Sequence, residues 1–119
     1  MKVTVYITSH NYAQYIEKAI DSVFNQTFSD FELIIIDDNS RDSTREVIQK
    51  YYLEPYDRIR FIFNEETSGL IKSSNIAIKE AKGEYIIRLD ADDWLDRNAL
   101  LVMTTFLDQN QDVDLVYSD

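Results

Sequence analysis

Two hydrophobic periods alternate along the chain. Val3, Thr4, Val5, Tyr6 and Ile7 form a β-branched stretch of strand length, closed by the polar run Thr8, Ser9, His10 and Asn11. Apolar residues then recur at Ile16, Ala19, Ile20, Val23 and Phe24, the spacing of one helix face. Residues 31–37 are almost continuously apolar, which predicts a strand buried on both faces. Ser43 with Glu46 three positions on has the form of a capping box and predicts a second helix through about residue 52, before Pro55. A third strand is expected over residues 58–63, and a helix over 68–82 with Gly83 as its stop signal. A fourth strand over 84–89, a helix over 96–109 and a fifth strand over 113–117 complete the pattern.

Five strands alternating with four helices predict an α/β fold, a mostly parallel doubly wound sheet of Rossmann-like βαβ units, because parallel neighbours need crossover connections. Ligands of such sheets collect at the carboxyl ends of the strands. Three polar clusters fall there: residues 8–11, Asp37 with Asp38, Asn39 and Ser40, and Asp90 with Asp92 and Asp93. Their convergence on one edge is the main functional signal.

Composition narrows the field. The chain has 119 residues, 45% of them hydrophobic, with only 2 Gly and 1 Pro, which fits one packed domain and leaves no room for a low-complexity linker. There is no internal repeat. A net charge of −10 without a basic run argues against nucleic acid or an anionic membrane as the primary partner. The absence of Cys excludes disulfides, thiolate metal sites and cysteine nucleophiles, and the single His10 cannot make a multi-histidine site. No signal peptide and no membrane segment is legible, so a cytoplasmic location is expected, with the inner face of a membrane open to a longer protein.

The acidic clusters carry the chemistry. In extended chain, Asp90 and Asp92 share a side with Cα atoms roughly 6.6 Å apart. Three carboxylates within four residues repel one another, so a partly desolvated site should take up a proton or a cation. Oxygen donors favour a hard divalent ion, Mg²⁺ or Mn²⁺, with coordination positions left for phosphate. The bland alternative is a solvated loop in which Asp92, Asp93 or Asp96 caps the next helix. Of Asp37 and Asp38, adjacent at the end of an apolar strand, at least one should face the crevice, where a carboxylate can accept from a base N–H or ribose hydroxyls; turn and capping contacts by Asp38, Asn39 and Ser40 are the alternative. His10 reads as structural rather than catalytic, and Trp94 as core rather than a ligand platform. Lys72 and Arg88 could neutralise phosphate, or simply be solvated or paired.

The order and spacing of VTVYITSHNYAQYIEKAIDSVFNQTFSDFELIIIDDNSRDST and SGLIKSSNIAIKEAKGEYIIRLDADDWLD resemble the amino-terminal nucleotide-binding part of family 2 glycosyltransferases of the GT-A fold. That resemblance implies inverting transfer of a sugar from a nucleoside diphosphate sugar, a UDP-sugar by expectation, to a saccharide, lipid-linked or protein acceptor, as in cell-envelope polysaccharide synthesis. It implies nucleobase contacts at Thr8 and Asp38 with Asp37 beside them, donor ribose and diphosphate contacts at the Asp-x-Asp pair Asp90 and Asp92, and metal ligation by Asp92 with Asp93 as a further participant. A divalent ion would convert the acidic cleft into a phosphate site. Two departures follow. Many relatives have an Arg before the Asn of the third helix, whereas this chain has Ser73-Ser74-Asn75, with Lys72 as a substitute contact. The catalytic base and the acceptor half are expected beyond Asp119, making the chain a single nucleotide-sugar-binding domain that is part of a longer one and binds donor without turnover. The alternatives are a receiver-like signalling module, which would need an acidic phosphoacceptor after the third strand, and a metal-dependent nucleotidyltransferase, which would need a Gly-rich phosphate loop after the first.

Overall fold

The computed structural model describes residues 1–52 and 58–117. The helix boundary expected before Pro55, and Asp119, past which the catalytic base is expected, lie outside these described residues. Strand β1 (Val3–Ser9) leads through α1 (Ile16–Phe24) to β2 (Phe31–Asp37), then through α2 (Thr44–Gln49) and a short 3₁₀ turn (Lys50–Tyr52) to β3 (Ile59–Phe63). Helix α3 (Leu70–Glu80), β4 (Tyr85–Asp90) and α4 (Ala99–Gln109) follow. The four strands form one all-parallel sheet in the order β3-β2-β1-β4.

Burial follows the predicted periods. All seven residues of β2 are buried, as its uninterrupted apolar run requires of a central strand. Alternation on β1 and β2 sends Val3, Val5, Ile7, Leu33 and Ile35 to one face, where they pack with Ile16, Ala19, Ile20 and Val23 of α1, Ile48 of α2 and Leu100 of α4. Tyr6, Ile34 and Ile36 form a smaller core with Ala77 of α3 on the opposite face. Helices on both faces make the sheet doubly wound.

Three expectations change. Residues 113–117 form no strand: Leu115 and Tyr117 are about four-fifths exposed, and the segment borders with β4 a cavity of about 280 Å³. Alternating apolar residues supply propensity, but a strand exists only when its backbone groups find a ladder partner. Ser43 stands at the N-cap of α2 without a side-chain bond; Asp42 takes that part, accepting from the Thr44 N–H at 3.0 Å and from the Thr44 hydroxyl. Gly83 does not terminate α3, which ends at Ala81 in extended backbone. Its lack of a side chain serves a close approach to β1 instead: a Cβ there would lie 2.4 Å from the Thr4 backbone nitrogen. Among the described residues no helix is long and apolar enough to cross a membrane.

Candidate functional site

The strand order reverses direction at β1. From there the chain builds outward through β2 and β3, then returns to add β4 on β1's other side. Neighbouring crossovers therefore leave to opposite faces between β1 and β4, opening a crevice at their carboxyl ends. Register places Thr8 opposite Asp90 at this point, and Ser9 opposite Asp37 one strand over. A cleft of about 370 Å³ occupies it, lined by Thr8, Ser9, His10 and Tyr12 from the end of β1, Asp38 after β2, Gly69, Leu70 and Ser73 at the start of α3, and Arg88, Asp90, Ala91 and Asp92 from β4 and its loop.

The two adjacent carboxylates after β2 separate into different roles. Asp37 is fully buried; its Oδ2 accepts from the Ser40 N–H at 3.1 Å and Arg45 Nε at 3.0 Å, while Oδ1 accepts from the Ser40 hydroxyl. Arg45 is held over the Phe63 ring, so Asp37 fixes the turn and lies outside the cleft lining. Asp38 borders the cleft. Its Oδ1 accepts from Ser68 N–H at 2.8 Å and Asn64 Nδ2 at 3.0 Å, and its Oδ2 from Gly69 N–H at 2.9 Å. Burial pushes this carboxyl up, but the bonds from Asn64, Ser68 and Gly69 outweigh it and hold it below the usual Asp range. Asn39 adopts a left-handed φ of 57°, a conformation Asn tolerates, which lets the chain turn from one carboxylate's environment to the other's.

On the β1 side, His10 Nδ1 lies 2.7 Å from the Asp38 carbonyl. A carbonyl only accepts, so Nδ1 carries the proton, and Nε2 accepts from Asn11 Nδ2 at 3.3 Å. The ring thus joins the first and second strand-end loops and also lines the cleft. Ser9 Oγ is buried and is the one such side-chain atom among the described residues with no hydrogen-bond partner. Tyr12 and Gly69 join the lining without a signal in the sequence; Gly69 announces itself only through its φ of 87°, which no composition rule reveals.

The third cluster is open to solvent. Asp90 is exposed beside Arg88, whose Nε is 3.4 Å from Asp90 Oδ1, and both line the cleft with Asp92. Asp93 is exposed, accepts from the Trp94 N–H at 2.8 Å, and is not part of the lining. Lys72 is exposed on α3, also outside the lining. Among the described residues no three His, Asp or Glu side chains converge in a metal-binding group. Trp94 is 54% exposed and therefore not core, contrary to its sequence reading.

The described geometry has close counterparts. The chain matches the model of the family described as "Glycosyl transferase family 2" over residues 4–118. It is 42% identical over 106 residues to the chondroitin synthase of Pasteurella multocida strain Pm70, covering 88% of this chain and 11% of that protein. It is 38% identical to the putative teichuronic acid biosynthesis glycosyltransferase TuaG of Bacillus subtilis, covering 88% of this chain and 41% of TuaG. Among solved structures, S. aureus TarS 1–349 in complex with UDP-GlcNAc superposes with a TM-score of 0.86 at 30% identity, over 93% of this chain and 32% of that one. The mannosyltransferase PcManGT from Pyrobaculum calidifontis, in complex with GDP-Man and Mn²⁺, gives a TM-score of 0.81 at 26% identity, over 89% of this chain and 32% of that one. The chain thus spans well under half the length of each of these relatives. Family, sheet topology and the crevice where strand order reverses agree, and the chain belongs to glycosyltransferase family 2.

Proposed function

We propose that the cleft binds the nucleoside diphosphate part of a sugar donor, of the UDP type, for transfer to an acceptor hydroxyl with inversion. The observation that carries this reading is the gathering of Thr8, Asp38, Asp90 and Asp92 around one crevice at the reversal of strand order. A carboxylate offers about four lone-pair directions, and Asp38 uses three, so one remains for a base N–H. Thr8 borders the same end. Asp37 supports the reading as a positioning group for the turn that presents Asp38. Arg88 takes the phosphate-neutralising part considered for Lys72, because it lines the cleft and Lys72 does not.

The donor set fits a divalent ion shared with a diphosphate. Mg²⁺ and Mn²⁺ are commonly held by one or two carboxylates together with phosphate oxygens, and Asp90 and Asp92 supply two carboxylates on one cleft. Asp92 is the ligand we assign first, with Asp93 adjoining it. When bound, the ion stabilises negative charge on the departing nucleoside diphosphate. In the transfer itself the acceptor oxygen forms a bond to the anomeric carbon as the bond to the β-phosphate breaks, and its proton passes to a base. We assign that base to none of the residues that line the cleft, which the reading commits to the donor and the ion.

Isothermal titration with UDP, with and without Mn²⁺, tests the reading on the wild type and Asp92→Ala. The expected result is saturable binding that requires the ion and weakens roughly tenfold or more in the variant, a loss of about 1.4 kcal/mol. Equal heats in the variant, or no binding of UDP at all, would overturn it.

A further inference from the structure

We infer that Asn11 is a positioning residue for the cleft: it joins the loops that follow β1 and β2 and holds His10 in one neutral tautomer, with both ring nitrogens withheld from a ligand. Only the identity of that ligand rests on the donor reading. Asn11 lies two positions past the end of β1 in a left-handed backbone, φ 61°, a conformation Asn tolerates. Its N–H donates to Ser40 Oγ at 2.9 Å, and its Oδ1 accepts from the Arg41 N–H at 2.8 Å and the Asp42 N–H at 3.4 Å. Asp42 answers from the other side, its Oδ2 accepting from the Ala13 N–H at 3.1 Å. These bonds link residues 29 to 31 apart in the sequence, so they tie one loop to the next rather than stiffening either alone. Ser40 carries the connection inward, because its hydroxyl donates to the buried carboxylate of Asp37.

The same bonds fix which way the Asn11 amide points. Oδ1 takes two backbone N–H groups, so the oxygen must face the second loop and Nδ2 must face His10. An amide nitrogen only donates, and the Asp38 carbonyl on the other edge of the ring only accepts. Both contacts therefore demand the same tautomer, with the proton on Nδ1 and the lone pair on Nε2. His10 is the one imidazole of the chain and lines the cleft with Asp90 and Asp92. With its two nitrogens engaged by Asn11 and Asp38, it offers the cleft no third ligand for an ion and no free base.

The loop junction acts on the shape of the cleft. Thr8, Ser9, His10 and Tyr12 form its β1 wall and flank Asn11 in sequence, while Asp38 stands on the β2 side. Fastening residue 11 to residues 40–42 sets these two walls against each other before any ligand arrives, and a preset wall loses less freedom on binding.

The test compares the 119-residue protein with two variants, each checked for folding by circular dichroism. Asn11→Gly removes the side chain and leaves a residue that adopts positive φ without strain. Asn11→Asp keeps an acceptor for the Arg41 and Asp42 N–H groups but turns an acceptor toward His10 Nε2. Because the chain has a single His, its two ring ¹⁵N signals are read directly by NMR. At about pH 8, above the ordinary His range, the wild type should show Nδ1 protonated and Nε2 unprotonated. Nε2 should gain a proton in Asn11→Asp, and Asn11→Gly should exchange between tautomers. Calorimetric titration with UDP and Mn²⁺ should give roughly tenfold weaker binding in Asn11→Gly. An Nε2–H form in the wild type, or an Nε2 left unprotonated in folded Asn11→Asp, overturns the hold on His10. Unchanged UDP affinity in Asn11→Gly overturns the positioning role. A wild type that binds no UDP rejects the donor reading alone, and the ring signals then decide for or against Asn11.

Discussion

Gly83 shows how a single missing atom can hold two distant parts of this chain together. Its N–H donates to Thr4 Oγ1 at 2.9 Å across 79 residues of sequence, and a Cβ would meet Thr4 N at 2.4 Å and the Val3 carbonyl carbon at 2.6 Å. Both close atoms are backbone, so neither can swing aside. Gly83→Ala should therefore destabilise the protein by about 1–3 kcal/mol through overpacking, read as a lower urea midpoint at unchanged slope. An unchanged midpoint would show that the strand edge yields. The helix-ending property of Gly is readable in a sequence, whereas a contact between residues 4 and 83 is not, which is why periodicity alone assigns position 83 to the end of a helix. The acidic pair after β2 divides the same way. That one of Asp37 and Asp38 must face the crevice follows from the apolar strand before them; which one does depends on Arg45 and Asn64, residues that only folding brings near.

At the scale of elements, a buried carboxylate ties three strands and a helix end together. Glu32 of β2 is 4% exposed; its Oε1 accepts from Thr4 Oγ1 of β1 at 2.9 Å, Arg60 Nη2 of β3 at 3.1 Å and the Lys82 N–H beyond α3 at 2.9 Å. Burial raises this carboxyl, yet the bonds from Lys82 and Thr4 and the charge of Arg60 outweigh it and hold Glu32 below the usual Glu range. A depressed folded value means that the unfolded chain binds the proton more readily. Stability from this group is thus fully present above the unfolded value of about 4.3 and is lost as pH falls through the lower folded value. Glu32→Gln should reduce stability at neutral pH by about 1–3 kcal/mol and flatten the acid limb of a pH–stability profile measured by urea unfolding. A variant whose acid limb superposes on that of the wild type would refute the linkage. None of this is visible in the period of β2, where Glu32 is one polar residue in an apolar run. The strands themselves are legible because both faces of a parallel sheet demand such runs. The segment 113–117 misleads because its alternation expresses a preference and contains no information about a partner for its backbone.

For the molecule as a whole, the excess of negative charge and the placement of the cleft must be weighed together. Asp38, Asp90 and Asp92 border one crevice in a chain of net charge −10, so an unaccompanied diphosphate approaches against a repulsive field. A divalent ion alone finds two carboxylates at the β4 end, one of them already beside Arg88, and no convergent group of three among the described residues. Each ligand is therefore expected to bind weakly by itself, and each should supply what the other lacks: the ion cancels the field, and the phosphates complete its coordination. The consequence is cooperative stabilisation. Mn²⁺ alone and UDP alone should each leave the melting temperature nearly unchanged. Both together, at a level about 100-fold above the dissociation constant of the ternary complex, should contribute ~2.7 kcal/mol and raise the melting temperature by roughly 10 °C. Chelation by EDTA should return it to the starting value. A full shift with UDP in the presence of EDTA would mean that the cleft, with Arg88 as its lining cation, holds the diphosphate without an ion, and would remove the carboxylate pair from the site.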